Sequence, residues 1–127
     1  MILGGLGRAW HDLAVGAPSG TVTFLFTDIE GSTRLWDEQP AGMRVALARH
    51  DEILRSAVVA HGGHVFATGG DGFAAAFGRA RDAVQAALAG QAGLAGEPWP
   101  DEVPVCVRMG LHTGEAVERG GTTSAQR

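Results

Sequence analysis

Residues 21–33 read TVTFLFTDIEGST, and the folding of this stretch decides how the rest of the chain must pack. Thr21 to Thr27 is rich in β-branched and aromatic residues, with Val22, Phe24 and Phe26 alternating against Thr21, Thr23, Leu25 and Thr27. That pattern predicts a strand. Asp28-Ile29-Glu30-Gly31 breaks the alternation, and Ser32 or Thr33 is expected to cap a following helix. A carboxylate at a strand end, a glycine that permits close backbone approach and the N–H groups of a helix start then fall in one place.

Working outward, Pro40 suits a helix start and the pattern continues to about His61. Met43, Leu47, Leu54 and Val58 recur at helical spacing, with Ala46, Ile53 and Ala57 beside them, and Gly62-Gly63 ends the run. His64 to Thr68 and Phe73 to Phe77 flank Gly69-Gly70-Asp71-Gly72, which predicts a hairpin with a glycine-rich turn. Arg79 to about Ala95 is expected to be helical, with Ala83, Val84, Ala87, Leu88 and Leu94 on or near one face, closed by Pro98-Trp99-Pro100. Val103, Val105, Val107, Met109 and Leu111 alternate as a long strand reaching about Val117. The order β-α-α-β-β-α-β is most of a ferredoxin-like split-βαβ layout, an α+β fold with helices on one face of the sheet.

Composition narrows the function. A chain of 127 residues suffices for one domain, and 45% apolar with 19% charged residues is an ordinary globular balance. No apolar run approaches the roughly 20 residues of a membrane span, so no membrane partner is expected. A net charge of −4 with scattered basic residues leaves no footprint for nucleic acid. Cys106 is the single cysteine, which excludes an intrachain disulfide and points to the cytoplasm. All ten basic residues are arginine, so no function can depend on a lysine of this chain. Residues 1–20 are expected to be an N-terminal extension: Met1 to Leu6 is apolar but lacks the basic lead of a signal peptide, and Pro18-Ser19-Gly20 marks the domain start.

Asp28 ends the first strand and Asp71 sits in the hairpin tip. If the hairpin lies beside strand one, both carboxylates reach one edge of the sheet. Two carboxylates beside a glycine-rich turn suit Mg²⁺, which keeps waters and takes one or two carboxylates plus phosphate oxygens. The plainer reading is an Asp serving as a turn or cap residue and Gly-Asp-Gly serving as turn chemistry alone. His50, His61, His64 and His112 show no metal-ligand spacing; His64 and His112 suit a half-buried sheet, Trp36 and Trp99 suit packing, and Cys106 suits a small core position. Arg108 is expected to be solvated, and Glu30 to be an exposed acid at a helix start.

The longer pattern resembles the catalytic domain of class III nucleotidyl cyclases. It comprises Thr23-Phe24-Leu25-Phe26-Thr27-Asp28-Ile29-Glu30-Gly31-Ser32-Thr33, then Gly62-Gly63, then Gly70-Asp71-Gly72-Phe73, then Arg108-Met109-Gly110-Leu111-His112-Thr113-Gly114-Glu115. The similarity covers roughly residues 20–119. It implies a ferredoxin-like sandwich of the nucleotidyl cyclase type, with a partial catalytic domain at 21–119 that lacks the family's last strands and helix. It implies two Mg²⁺ or Mn²⁺ ions per site on Asp28, Asp71 and the carbonyl of Ile29. Ile29, Glu30, Gly31, Ser32, Thr33 and Gly70 would bind the nucleotide. ATP, or GTP, would be converted to a 3′,5′-cyclic nucleotide and pyrophosphate by this phosphorus–oxygen lyase chemistry, in sites shared between two domains of a homodimer or heterodimer.

Two departures qualify that implication. Ala67 stands where adenylate cyclases of the family carry a purine-selecting lysine. After His112-Thr113-Gly114-Glu115 the family continues through a stretch like Asp-Tyr-Phe-Gly-Pro-Ala-Val-Asn to an arginine that stabilises the transition state; residues 120–127 do not follow it. No catalytic residue is therefore assigned to this chain, and the expected function is a cyclase domain inactive by itself, the alternative being a non-catalytic metal- or nucleotide-binding module or a dimerisation partner. The tail suggests a frameshift. Asp-Tyr-Phe-Gly-Pro-Ala-Val written GAC TAC TTC GGC CCA GCG GTG and read one base later gives Thr-Thr-Ser-Ala-Gln-Arg and, with a following A, a stop, matching Thr122 to Arg127. Sequencing the gene through codon 127 is expected to show a second frame continuing Asp-Tyr-Phe-Gly and then an Asn and Arg; a gene without such a frame sinks the idea.

Overall fold

The computed structural model describes residues 20–116 and 125–126. The extension expected at 1–20, apart from Gly20, and most of the 120–127 tail lie outside these. Strand β1 (Gly20–Ile29) is followed by helices α1 (Ser32–Glu38) and α2 (Pro40–Ala60), strands β2 (His64–Gly69) and β3 (Gly72–Phe77), helix α3 (Ala80–Ala95) and strands β4 (Val107–Ala116) and β5 (Ala125–Gln126). The strands form one antiparallel sheet in the order β2-β3-β1-β4-β5. The first four strands have the order and directions of a ferredoxin-like sheet, as the element order predicts.

β1 is longer than the alternation suggests, because Asp28 and Ile29 continue its ladder to β4 through Asp28↔Arg108 and Ile29↔Val107. It is also buried on both faces rather than one. Leu25 and Ile29 join Phe73, Ala75 and Phe77 beneath Met43, Ala46, Leu54 and Val58 of α2 and Ala83, Ala86 and Leu94 of α3. On the opposite face Val22, Phe24 and Ala76 form a second cluster with Phe26 and Phe66 packed against it. A central strand paired along both edges has no solvent face to spare, so Thr23 and Thr27 are buried as well. Thr23 shares a 2.8 Å hydroxyl–hydroxyl bond with Thr113, its register partner on β4.

The helices correct one expectation. Val84 and Leu88 of α3 are exposed, and the buried stripe is Ala83, Ala86, Gly90 and Leu94. The reason is proximity: a Cβ on Gly90 would stand 3.0 Å from Leu54 Cδ2 of α2, so the helices approach too closely for large residues between them. On α2 the stripe is Met43, Ala46, His50, Leu54, Ala57 and Val58. His50 is fully buried, its Nδ1 2.8 Å from Asp51 Oδ1 and its ring edge-on to Phe73. Val103 and Val105 are core residues, as their apolar character implies, but they precede β4 rather than belong to it.

α2 ends where Gly62 takes φ +75°, a left-handed conformation that ends helices without strain only at glycine. Gly63 then donates to Val58 O at 2.9 Å and lies against the Phe77 ring. An added Cβ there would overlap that ring and come within 2.7 Å of Val58 Cγ1. Gly63→Ala is expected to destabilise the fold by about 1–3 kcal/mol, the usual cost of overpacking, whereas Gly69→Ala, with nothing within 4 Å, should be near neutral. Urea unfolding of the two variants checks this; equal midpoints would contradict the packing described.

Candidate functional site

The site is built at the end of β1. The β1–β3 ladder stops at Thr27↔Phe73. Beyond it the Asp71 carboxylate bends back from the β2–β3 turn, and its Oδ2 accepts the Ile29 N–H at 2.9 Å. The next amide, Glu30 N–H, donates to the Cys106 carbonyl at 2.8 Å. Consecutive amides at the end of β1, Ile29 and Glu30, are thus tied to different neighbours, one through a side chain and one through backbone. Asp71 therefore sits in the hairpin turn and also ties the end of β1 through its carboxylate.

The chain then reverses at Gly31, with φ 66° and ψ 24°, a left-handed position where a side chain would be strained. Gly31 is itself the residue before α1, its carbonyl accepting Leu35 N–H at 3.1 Å. This corrects the expected cap: Ser32 begins the helix, and no side chain caps it. A left-handed glycine makes the turn that a Ser or Thr cap would otherwise make in extended conformation.

Asp28, Ile29, Gly31, Ser32 and Thr33 line one cleft of about 400 Å³ with Gly69, Asp71, Gly72 and Arg108. The structure thus brings Asp28 and Asp71 to one edge of the sheet, as the topology predicts. Glu30, which is exposed, and Gly70, at the turn with φ 56°, are not in that lining. Ala67 lies in the row Ala67↔Ala74↔Phe26 across the sheet, beside the irregularity between Val65 and Ala67.

Arg108 is exposed, as expected, but its role was missed: it makes a two-point ion pair with Asp28, Nε donating to Oδ1 and Nη2 to Oδ2, each at 2.9 Å. The bond to Asp28 holds the guanidinium above its ordinary pKa, with attraction to Asp28, Glu30 and Asp71 adding to the effect against partial desolvation. Arginine pairs with carboxylate in this fork-like way because its N–H groups match the two oxygens. The sequence carries only the strand alternation around Arg108; the partner follows from the β1–β4 register, which no local pattern supplies. Cys106 also differs from expectation, being exposed rather than in the core. His64 and His112 are half-buried on the sheet, and Trp36 and Trp99 pack on the main core, Trp99 donating its indole N–H to Leu94 O at 2.8 Å.

The side-chain donors of the cleft are oxygens, from the Asp28 and Asp71 carboxylates and the Ser32 and Thr33 hydroxyls, without His or Cys, the kind of donor a hard cation takes. Among the described residues no group of three or more His, Cys, Asp or Glu could hold a metal by itself. Among the described residues, no helix is long and apolar enough to cross a membrane.

The structure is a split-βαβ sheet with one carboxylate at a strand end and another at a neighbouring hairpin tip, both lining one cleft. The family model for the adenylate and guanylate cyclase catalytic domain matches residues 15–123, and the chain belongs to that family. It is 36% identical over 129 residues to an adenylate cyclase of Podospora anserina, covering 87% of this chain and 6% of that protein. It is 45% identical over 100 residues to an uncharacterized protein of Mycobacterium tuberculosis, covering 77% of this chain and 33% of that one. Among solved structures, an adenylate cyclase of Trypanosoma brucei in its monomeric state superposes with a TM-score of 0.73 at 28% identity, over 82% of this chain and 61% of that one. The guanylate cyclase domain of a Catenaria anguillulae protein, solved with GTP, superposes with a TM-score of 0.69 at 20% identity, over 77% and 58%, a likeness of fold. The chain thus spans a small part of these full-length relatives and under two thirds of these solved domains.

The bond from Ile29 N–H to Asp71 makes a local prediction. Asp71→Ala leaves that amide without its acceptor and is expected to cost about 1 kcal/mol, with faster hydrogen exchange at Ile29. Asp71→Asn keeps an acceptor oxygen and should retain most of the protection. Equal exchange at Ile29 in both variants and the parent chain would show the bond to be unimportant.

Proposed function

We propose that this chain is an adenylate cyclase-type domain that holds a divalent cation and ATP between Asp28, Asp71 and the turn at Gly31, for metal-dependent formation of 3′,5′-cyclic AMP and pyrophosphate in cyclic nucleotide signalling. The observation that carries this reading is the convergence of Asp28 and Asp71 on one cleft with Gly31, Ser32 and Thr33. ATP is preferred to GTP because relatives named adenylate cyclase, from Podospora anserina and Lachancea kluyveri, are 36% and 33% identical to this chain. Localisation to the cytoplasm and action as a homodimer or heterodimer with another cyclase domain complete the proposal.

Asp28, Asp71 and the Ile29 carbonyl would hold Mg²⁺ or Mn²⁺, which when bound supplies charge neutralisation for phosphate oxygens and eases deprotonation of an attacking hydroxyl. The chain's own contributions are positional. Asp71 holds the Ile29 amide and so fixes the strand end beside the turn. Gly31 brings backbone close to the cleft without a side chain in the way. Ser32 and Thr33 present hydroxyls to the same space. These groups orient a polyphosphate; none of them transfers a proton.

A second reading, a non-catalytic binding module or a partner for a complete cyclase domain, is favoured by Ala67. Its methyl group offers no donor to a purine edge, and the sequence contains no lysine to replace it.

Calorimetric titration with Mn·ATP, alongside an assay for cyclic AMP, separates the readings. The chain alone is expected to bind Mn·ATP, to lose at least about tenfold in affinity on Asp28→Asn, and to form no cyclic AMP above the protein-free background. Turnover abolished by Asp28→Asn would establish a competent enzyme and remove the second reading. Absence of Mn·ATP binding would remove the first reading and the binding module, leaving only the partner for a complete cyclase domain.

A further inference from the structure

Asp28 and Arg108 are direct register partners on β1 and β4, and both oxygens of the carboxylate are engaged by the guanidinium at 2.9 Å. The same two residues line a second cleft of about 270 Å³, with Phe26 and Gly110, as well as the cleft of about 400 Å³ shared with Asp71. No other residue lines both, so the ion pair borders the two clefts together. Glu30 and Asp71 also attract Arg108, which makes it the local counter-ion of three acidic side chains.

A guanidinium fork spanning both oxygens occupies the approach that a cation chelated by that carboxylate would need, and its charge repels a second cation nearby. The pair is also releasable: the Arg108 and Asp28 side chains are 64% and 45% exposed, and an exposed pair is weakly held. The backbone need not move, because Thr27↔Met109 and Ile29↔Val107 fix the ladder on either side.

We propose that Arg108 is a built-in competitor for the Asp28 carboxylate, so that a divalent cation enters the site only as the guanidinium leaves the pair. The inference rests on the reading of Asp28 as a metal carboxylate and adds what opposes the metal. Arg108 is on this view a positioning residue that acts through Asp28. It keeps the acidic cluster neutralised when no cation is present.

The test is equilibrium Mn²⁺ binding, read from the electron paramagnetic signal of free Mn²⁺, with the full chain and no nucleotide. Arg108→Ala is expected to bind Mn²⁺ about two- to tenfold more tightly than the parent, with Arg108→Lys in between and Asp28→Asn losing binding. Unchanged or weaker binding by a folded Arg108→Ala, with Asp28→Asn still abolishing it, overturns the competition and leaves the metal reading standing. Binding indifferent to Asp28→Asn, or absent throughout, overturns both. A measurement on the unsubstituted chain guards against misfolding of the variants: the Arg108 Nε–H resonance should shift as Mg²⁺ is added, saturating together with the Ile29 amide. A resonance unmoved at saturating Mg²⁺ also overturns the proposal.

Discussion

Between Phe73 on one side and Arg108 on the other, the last residues of β1 are held in a register that nothing nearby could tolerate losing. A slip of one residue would turn Leu25 and Ile29 out of the main core and put Asp28 into it. The same register sets Asp28 opposite Arg108 and leaves the Ile29 amide to be taken by Asp71. Core packing and site geometry are therefore one constraint. The apolar residues on one face of β1 hold the strand in place for the polar residues at its end.

The site itself concentrates negative charge at the mouth of a sheet. Asp28, Glu30 and Asp71 lie near one arginine, and the cleft that Asp28 and Asp71 line contains no lysine because the chain has none. Arg108 offsets part of that charge through its two-point pair with Asp28, the contact that the divalent chemistry proposed for the domain would have to displace. Gly31 and Asp71 complete the arrangement from either side, one by making the turn and the other by holding the strand end.

The elements were largely legible because they rest on local patterns. The β-branched and aromatic run at Thr21 to Thr27, the Pro40 start, the Gly62-Gly63 stop and the glycine-rich turn around Asp71 each act over a few residues. Asp28 and Asp71 were legible for the same reason, as acids at a strand end and a turn. The face of α3 was misjudged because hydrophobicity favours Val84 and Leu88, while the closeness of α2 admits only small residues such as Gly90. The cap at Ser32 or Thr33 was misjudged because a left-handed Gly31 makes the turn instead.

By itself the sequence determined the order of elements, the family and the two aspartates of the candidate site, since periodicity, turn chemistry and motif spacing are written along the chain. Only the tertiary structure decided that β1 is buried on both faces, that Cys106 is exposed, and that Arg108 clasps Asp28. Those outcomes depend on strand register and helix separation. Asp28 and Arg108 are 80 residues apart along the chain, and they meet because packing elsewhere aligns their strands.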